Sequence, residues 1–309
     1  MPAPDNKPIQ PPLNAEELEV REEIVRYVEM LAGMIGVRHD SRPSSIEAAK
    51  AYIRREFESF GQAVTTELYP TPAGDAVNLI VEWPGSTKPQ DIVLLGGHYD
   101  TVVSTPGADD NASAVAGLLS VCRQLAKSRF NRTIRFVAFA NEEPMHFGTQ
   151  TMGSHVHAEA CRRRGDRIHA MVCLEMLGYF DTAPGSQRYP PELPGFLKPM
   201  LRPAGDFIAV ISDMRAALPL RRFLRGFKSL ARFPTIAAPV PGVQSLLWVS
   251  DHGPFWDRDY PAMIVTDTAW FRNGNYHQPS DTPDTLDFDR MARVVRGVAG
   301  GIAALAGRA

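Results

Sequence analysis

Residues 91–118 read DIVLLGGHYDTVVSTPGADDNASAVAGL, and the fold turns on this stretch. The apolar run Ile92 to Leu95 lies between turn residues, which predicts a central strand covered on both faces. Gly96 and Gly97 follow and leave the backbone free to bend. His98 and Asp100 come next, then Asp109, Asp110 and Asn111 ahead of a run with helical period. Open α/β sheets place ligands at the C-terminal ends of their strands, and a neutral imidazole with carboxylates is an ordinary zinc-binding set. The stretch therefore predicts a metal site. Asp100, two residues beyond His98, suits the carboxylate that receives the other ring N–H of a ligating imidazole. A second reading stays open here: Asp109 to Asn111 could simply cap the following helix, where Asp and Asn are favoured.

The chain of 309 residues is 44% hydrophobic, enough for one large α/β core. Its 33 Lys and Arg balance 35 Asp and Glu, which leaves no basic field for nucleic acid. Small molecules or peptides are the expected partners. The start, MPAPDNKPIQPPLN, lacks a charged n-region and an apolar h-region, and no later segment is apolar enough to span a membrane. An intracellular location is the expectation, or a secreted one where a leader has been removed. Cys122, Cys161 and Cys173 are an odd set without paired spacing and read as free core thiols.

In chain order, residues 1–14 read as a loose arm and 15–309 as one catalytic domain. A surface helix begins at Ala15, with Leu18, Ile24, Val25, Val28 and Leu31 on one face, and closes at Gly33 and Gly36. Ser44 followed by Glu47 predicts a capping box that opens a second helix. Strands are expected at 63–69 and 76–83, ahead of the strand that delivers His98, and a helix from Asn111 to about Lys127. Thr133 to Ala140 is the next strand and runs into Glu142 and Glu143. Adjacent carboxylates in extended backbone point opposite ways, so they can hold different jobs. After a helix over 153–164, the strand 168–176 ends in Glu175, a charge that needs a partner or a metal. Pro- and Gly-rich residues 180–205 read as a loop, 207–211 as a strand, and 216–231 as a helix whose Arg221, Arg222, Arg225 and Lys228 form a solvated face. A strand at 262–266, a loop holding Tyr276 and His277, and a final helix 288–305 complete the pattern. Apolar strands alternating with amphipathic helices predict an α/β/α sandwich on a mainly parallel, twisted sheet.

His98, Asp110, Glu142–Glu143, Glu175 and His277 thus lie in order at successive strand ends, and this order resembles the co-catalytic zinc aminopeptidases of metallopeptidase family M twenty-eight. That family also holds glutamate carboxypeptidases, glutaminyl cyclases and a catalytically dead receptor ectodomain. The resemblance implies that His98 binds one zinc and that Asp110, twelve residues on, bridges two. It implies Glu142 as general base, Glu143 and His277 as ligands, and Tyr276 as a group that steadies the tetrahedral intermediate. The family usually has Asp where this chain has Glu175, and the extra methylene shifts the carboxylate by about 1.3 Å, close to a backbone bond length. The resemblance implies two zinc ions per chain and an N-terminal peptide bond, or another small amide, as substrate.

A single-zinc glutaminyl cyclase is one alternative, and a non-catalytic binding domain on the same fold is another. A serine hydrolase is disfavoured: no GxSxG elbow is present, and Ser250, Asp251 and His252 are adjacent in sequence, whereas triad members meet through the fold. His252 then reads as a packing residue, and His146, His155, His157 and His169 as structural or exposed. Specificity is expected from walls built by 177–205 and 240–275.

Overall fold

A computed structural model describes residues 11–191, 201–240 and 247–308. Most of the expected N-terminal arm, 1–10, and parts of the expected pocket walls, 192–200 and 241–246, lie outside these residues. Eight strands form one mixed sheet: β1 (Thr65–Thr71), β2 (Gly74–Trp83), β3 (Lys88–His98), β4 (Arg132–Phe139), β5 (Arg167–Glu175), β6 (Ile208–Ser212), β7 (Thr235–Pro239) and β8 (Ala262–Thr266), in the order β1-β2-β4-β3-β5-β8-β6-β7. The central strands β4, β3, β5 and β8 are mutually parallel, with antiparallel joins at β1–β2, β2–β4 and β6–β8. The expected α/β fold with helices on both faces is what forms. β7 carried no sequence signal: Thr235–Pro239 is short and only half-buried.

Strand β3 explains why its run is apolar throughout. Val93 and Leu95 face a core shared with α1 (Ala15–Val28), α2 (Pro43–Ser59), α3 (Ala114–Leu125) and α6 (Phe288–Ala306). Ile92 and Leu94 face the opposite core, against α4 (Gly153–Arg164) and a single helical turn at Gly253–Trp256. Each such side chain stabilises the fold by about 1.5–3 kcal/mol on full burial. Gly96 and Gly97 do not interrupt the strand, since β3 runs on to His98 in register with β4. They are glycines because neighbours approach closely: a Cβ at Gly96 would lie 2.4 Å from the Phe139 ring, and one at Gly97 2.8 Å from the Leu174 carbonyl oxygen.

Two helix starts differ from their sequence signals. Ser44 and Glu47 form no capping box, because Pro43 takes the first helical position and both residues fall inside α2, where Glu47 pairs with Lys50 at 2.5 Å. Proline's fixed φ and missing N–H suit that first position. The capping box is instead at α1, where the Asn14 side chain accepts from Glu17 N and Glu17 Oε2 accepts from Asn14 N, both at 2.9 Å. Beyond α1 the chain continues through a wider π turn, Glu29–Ile35, before Gly36 ends it. Leu18, expected inward, is 46% exposed. The three cysteines are free and buried. No helix among the described residues is long and apolar enough to cross a membrane.

Helix α5 (Ala217–Leu230) crosses α6 through glycines. Cβ atoms added at Gly226 and Gly300 would come within 2.1 and 2.3 Å of each other's carbonyl oxygens, while Gly297 and Gly301 receive the rings of Phe227 and Phe223. The basic face of α5, with Arg221, Arg222, Arg225 and Lys228, is exposed as expected. For Gly300→Ala, helix propensity improves by about 1 kcal/mol but overpacking costs about 1–3 kcal/mol. The clash is backbone on backbone, so the second effect wins. Urea unfolding should show a net loss of up to about 2 kcal/mol; a raised midpoint contradicts the close crossing.

Candidate metal centre

The parallel strands end in register, His98 beside Phe139 and Glu175 beside Thr266, so their C-terminal loops converge on one edge of the sheet. His98 closes β3, Glu142 and Glu143 follow β4, Glu175 closes β5, and Asp110 comes from the turn before α3. His277 arrives from the loop after β8. Asp110 stands between the two imidazoles: its Oδ1 is 3.5 Å from His98 Nε2, and its Oδ2 is 3.2 Å from His277 Nε2. Glu175 Oε2 lies 3.4 Å from His98 Nε2, and Glu143 Oε2 lies 3.2 Å from His277 Nε2. Glu142 Oε2 is farther, 3.8 Å from His98 Nε2. Among the described residues neither ring nitrogen of His98 has a hydrogen-bond partner, although the residue is fully buried.

These spacings suit ligands around a shared ion. Zinc with bonds of about 2.0–2.2 Å in a tetrahedron separates its ligand atoms by about 3.3–3.6 Å. Ligand atoms of His98, Asp110 and Glu143 lie within 4.8 Å of one another, as do those of His98, Glu142 and Glu175, while His277 reaches Asp110 and Glu143. Glu175 reaches this set despite its extra methylene. Ser250 Oγ donates to Glu175 Oε2 at 2.6 Å and Asn111 Nδ2 at 3.2 Å, which fixes the longer side chain.

The electrostatics call for a cation. Burial, with the Asp110 charge, pushes the Glu143 carboxyl up to about 8. Burial raises Glu142 well above the carboxylate range, against the pull of His98 and with the Glu175 and Glu143 charges adding to it. Burial opposes the charge on His277, but hydrogen bonds to Asp110 and Glu143 raise its imidazole to about 10. The metal-free cluster thus holds protons that a divalent ion displaces on binding.

The backbone around the site is held by the same carboxylates. Asp100 Oδ1 is 3.4 Å from His98 Nδ1, and its two oxygens accept Glu142 N and Glu143 N, each at 3.1 Å. It therefore positions the Glu–Glu turn as well as facing the imidazole, a role the sequence did not signal. Asn141, Met176 and His277 have positive φ of 59°, 48° and 60°, unusual for non-glycine residues and concentrated where strain serves a site. Asp109 to Asn111 do not cap α3, whose first turn has no side-chain cap. Asp109 Oδ1 instead accepts Gly178 N at 2.9 Å and Asn111 Oδ1 accepts Met176 N at 3.0 Å, tying this turn to the end of β5. Asp281, missed from sequence, accepts Asp109 N and Asp110 N at 2.9 and 3.1 Å.

Tyr276 stacks on His277, ring centroids 3.8 Å apart, and burial with the Asp110 and Glu143 charges keeps its phenol protonated far above neutral pH. His252 packs edge-on against Trp256 at 4.4 Å and bonds the Leu247 carbonyl, as a packing residue would. His157 pairs with Glu67, and His155 with Arg258.

Residues 78–217 match peptidase family M28. The uncharacterized protein YfbL of Escherichia coli is 36% identical over 285 residues, covering 90% of this chain and 86% of that one. Among solved structures, LapA aminopeptidase of Legionella pneumophila superposes with a TM-score of 0.71 at 18% identity, over 96% of this chain and 74% of that one. A glutaminyl cyclase of Fimbriiglobus ruber gives 0.63 at 18% identity, over 92% and 95%. Both share the fold.

Asp100→Asn puts an amide NH2 where two backbone N–H groups now meet a carboxylate. Zinc affinity, read by chelator competition, should fall about 10–100-fold, the usual cost of losing a group that supports a ligand. Unchanged affinity would mean that Asp100 does not orient the ligands.

Proposed function

Because the chain belongs to peptidase family M28, we propose that it is a zinc-dependent aminopeptidase holding two ions, a reading carried by Asp110 with one oxygen turned to each imidazole. His98, Asp110 and Glu175 would hold one zinc, and Asp110, Glu143 and His277 the other. Bound there, zinc lowers the pKa of water towards about 7 and polarises a carbonyl oxygen.

The remaining steps belong to the protein's own groups. Of the three carboxylates that face His98 Nε2, Glu142 is the farthest, at 3.8 Å against 3.5 Å for Asp110 and 3.4 Å for Glu175, which suits a base rather than a ligand. It takes the proton of the attacking water and returns it to the leaving amine, a contribution of about 10²–10⁴-fold. The Tyr276 phenol remains a donor through the neutral range and is the group available to the oxygen of the tetrahedral intermediate. The carboxylate-rich floor is the natural partner of a substrate α-ammonium, which favours N-terminal peptide bonds or small amides of amino acids.

A glutaminyl cyclase, which shares this fold, needs no attacking water, so the fate of Glu142 separates the readings. Glu142→Gln should keep its zinc while kcat on amino-acid anilides falls about 10²-fold or more with little change in KM. Glu143→Gln should lose zinc and recover partly when zinc is in excess. Zinc loss in Glu142→Gln with retention in Glu143→Gln would exchange the two roles. Unchanged turnover in both, or cyclisation of N-terminal Gln peptides without anilide hydrolysis, would overturn the aminopeptidase reading.

A further inference from the structure

Arg38 is a fully buried arginine, and among the described residues no carboxylate pairs with it. Its guanidinium is surrounded by main-chain carbonyls. Nε donates to Tyr99 O at 2.7 Å, and Nη2 to Gly107 O at 2.9 Å. Nη1 faces Pro106 O at 2.7 Å, Gly36 O at 2.9 Å and Leu31 O at 3.0 Å. The Arg38 main chain adds two bonds, its N–H to Thr101 Oγ1 and its carbonyl from Thr101 N, both at 3.0 Å.

Tyr99 to Gly107 is the loop that joins His98 to the turn carrying Asp109 and Asp110. Arg38 grips that loop at both ends. Gly107 makes the second grip possible: its φ of +60° suits glycine, and a Cβ there would lie 2.2 Å from the Asp110 carbonyl oxygen and 3.1 Å from Arg38 Nη2. A second strap starts two residues on. Asp40 Oδ2 is 2.7 Å from His146 Nε2, and His146 N bonds the Glu143 carbonyl at 3.1 Å, so the same segment holds the loop behind Glu143. Burial draws the Arg38 pKa down to about 10 against the charges of Asp100, Asp281, Asp110 and Glu143, which leaves a cation beside the carboxylates at neutral pH.

We propose that Arg38 is a positioning residue of the metal centre, fixing the spacing of His98 and Asp110 through the loop between them, so that the leading helical segment is a working part of the site. The segment lies before residues 78–217, where the family match falls. The inference rests on the metal-centre reading above. Lysine retains the charge but has three donors on one atom, so it cannot span from Tyr99 O to Gly107 O as the planar fork does.

The test compares Arg38→Lys with Phe227→Leu, a substitution in the α5–α6 contact remote from this loop that lowers stability without touching it. Zinc affinity is read by chelator competition on the metal-stripped full chain, and thermal midpoints are recorded without zinc. Arg38→Lys should bind zinc about 10-fold or more weakly than wild type, while Phe227→Leu binds as wild type despite its lower midpoint. Equal affinity of Arg38→Lys and wild type overturns the proposal, as does an equal loss in Phe227→Leu. Should Arg38→Lys fail to fold, Thr101→Val decides: it removes the acceptor of the Arg38 N–H, and weakened zinc binding supports the proposal while unchanged binding overturns it. A wild-type chain that binds no zinc overturns the metal-centre reading itself, and this inference with it.

Discussion

Four carboxylates, those of Asp110, Glu142, Glu143 and Glu175, are buried within about one side chain of two imidazoles, and this crowding is what the rest of the structure must accommodate. Ionised carboxylates removed from water cost several kcal/mol each unless they are paired or bind a cation. Protons on His277 and Glu143 ease the repulsion, and a bound zinc ion would offset it more completely. The fold treats the cost as fixed and supplies support around it: Asp100 and Asp281 collect main-chain N–H groups, Ser250 and Asn111 hold Glu175, and Arg38 brings a cation from behind.

The sheet makes such crowding possible. Parallel strands β4, β3, β5 and β8 end side by side, so four loops enter one small volume without any strand bending to reach it. Apolar packing on both faces of β3 holds those ends rigid, and positive φ at Asn141, Met176 and His277 turns the last residues inward. Local strain of this kind costs about 1–3 kcal/mol per residue and persists where surrounding packing over-determines it.

Much of this was legible in the sequence because strand period and chemistry coincide. An apolar run ending in His98, a second ending before Glu142 and Glu143, and a third ending in Glu175 announce both the parallel core and the edge where charge gathers. Less visible were residues whose role depends on contacts far along the chain. Ser250 acts 75 residues from Glu175, Asp281 acts 171 residues from Asp110, and Arg38 sits in a turn that reads as a helix end. The Ser44–Glu47 signal misled for a local reason, since Pro43 starts the helix and moves the cap two residues back, to Arg42. Gly96 and Gly97 looked like a hinge, but a lone sequence cannot distinguish a glycine chosen for flexibility from one chosen for a neighbour's close approach.

The central claim is that Asp110 bridges two metal ions, one on each side of its carboxylate. Anomalous diffraction at the zinc edge, on crystals grown with zinc, tests it most directly. The account predicts two peaks about 3.5–4 Å apart, one against Asp110 Oδ1 with His98 and Glu175, the other against Oδ2 with His277 and Glu143. A single peak, or two peaks that do not both touch Asp110, would contradict it.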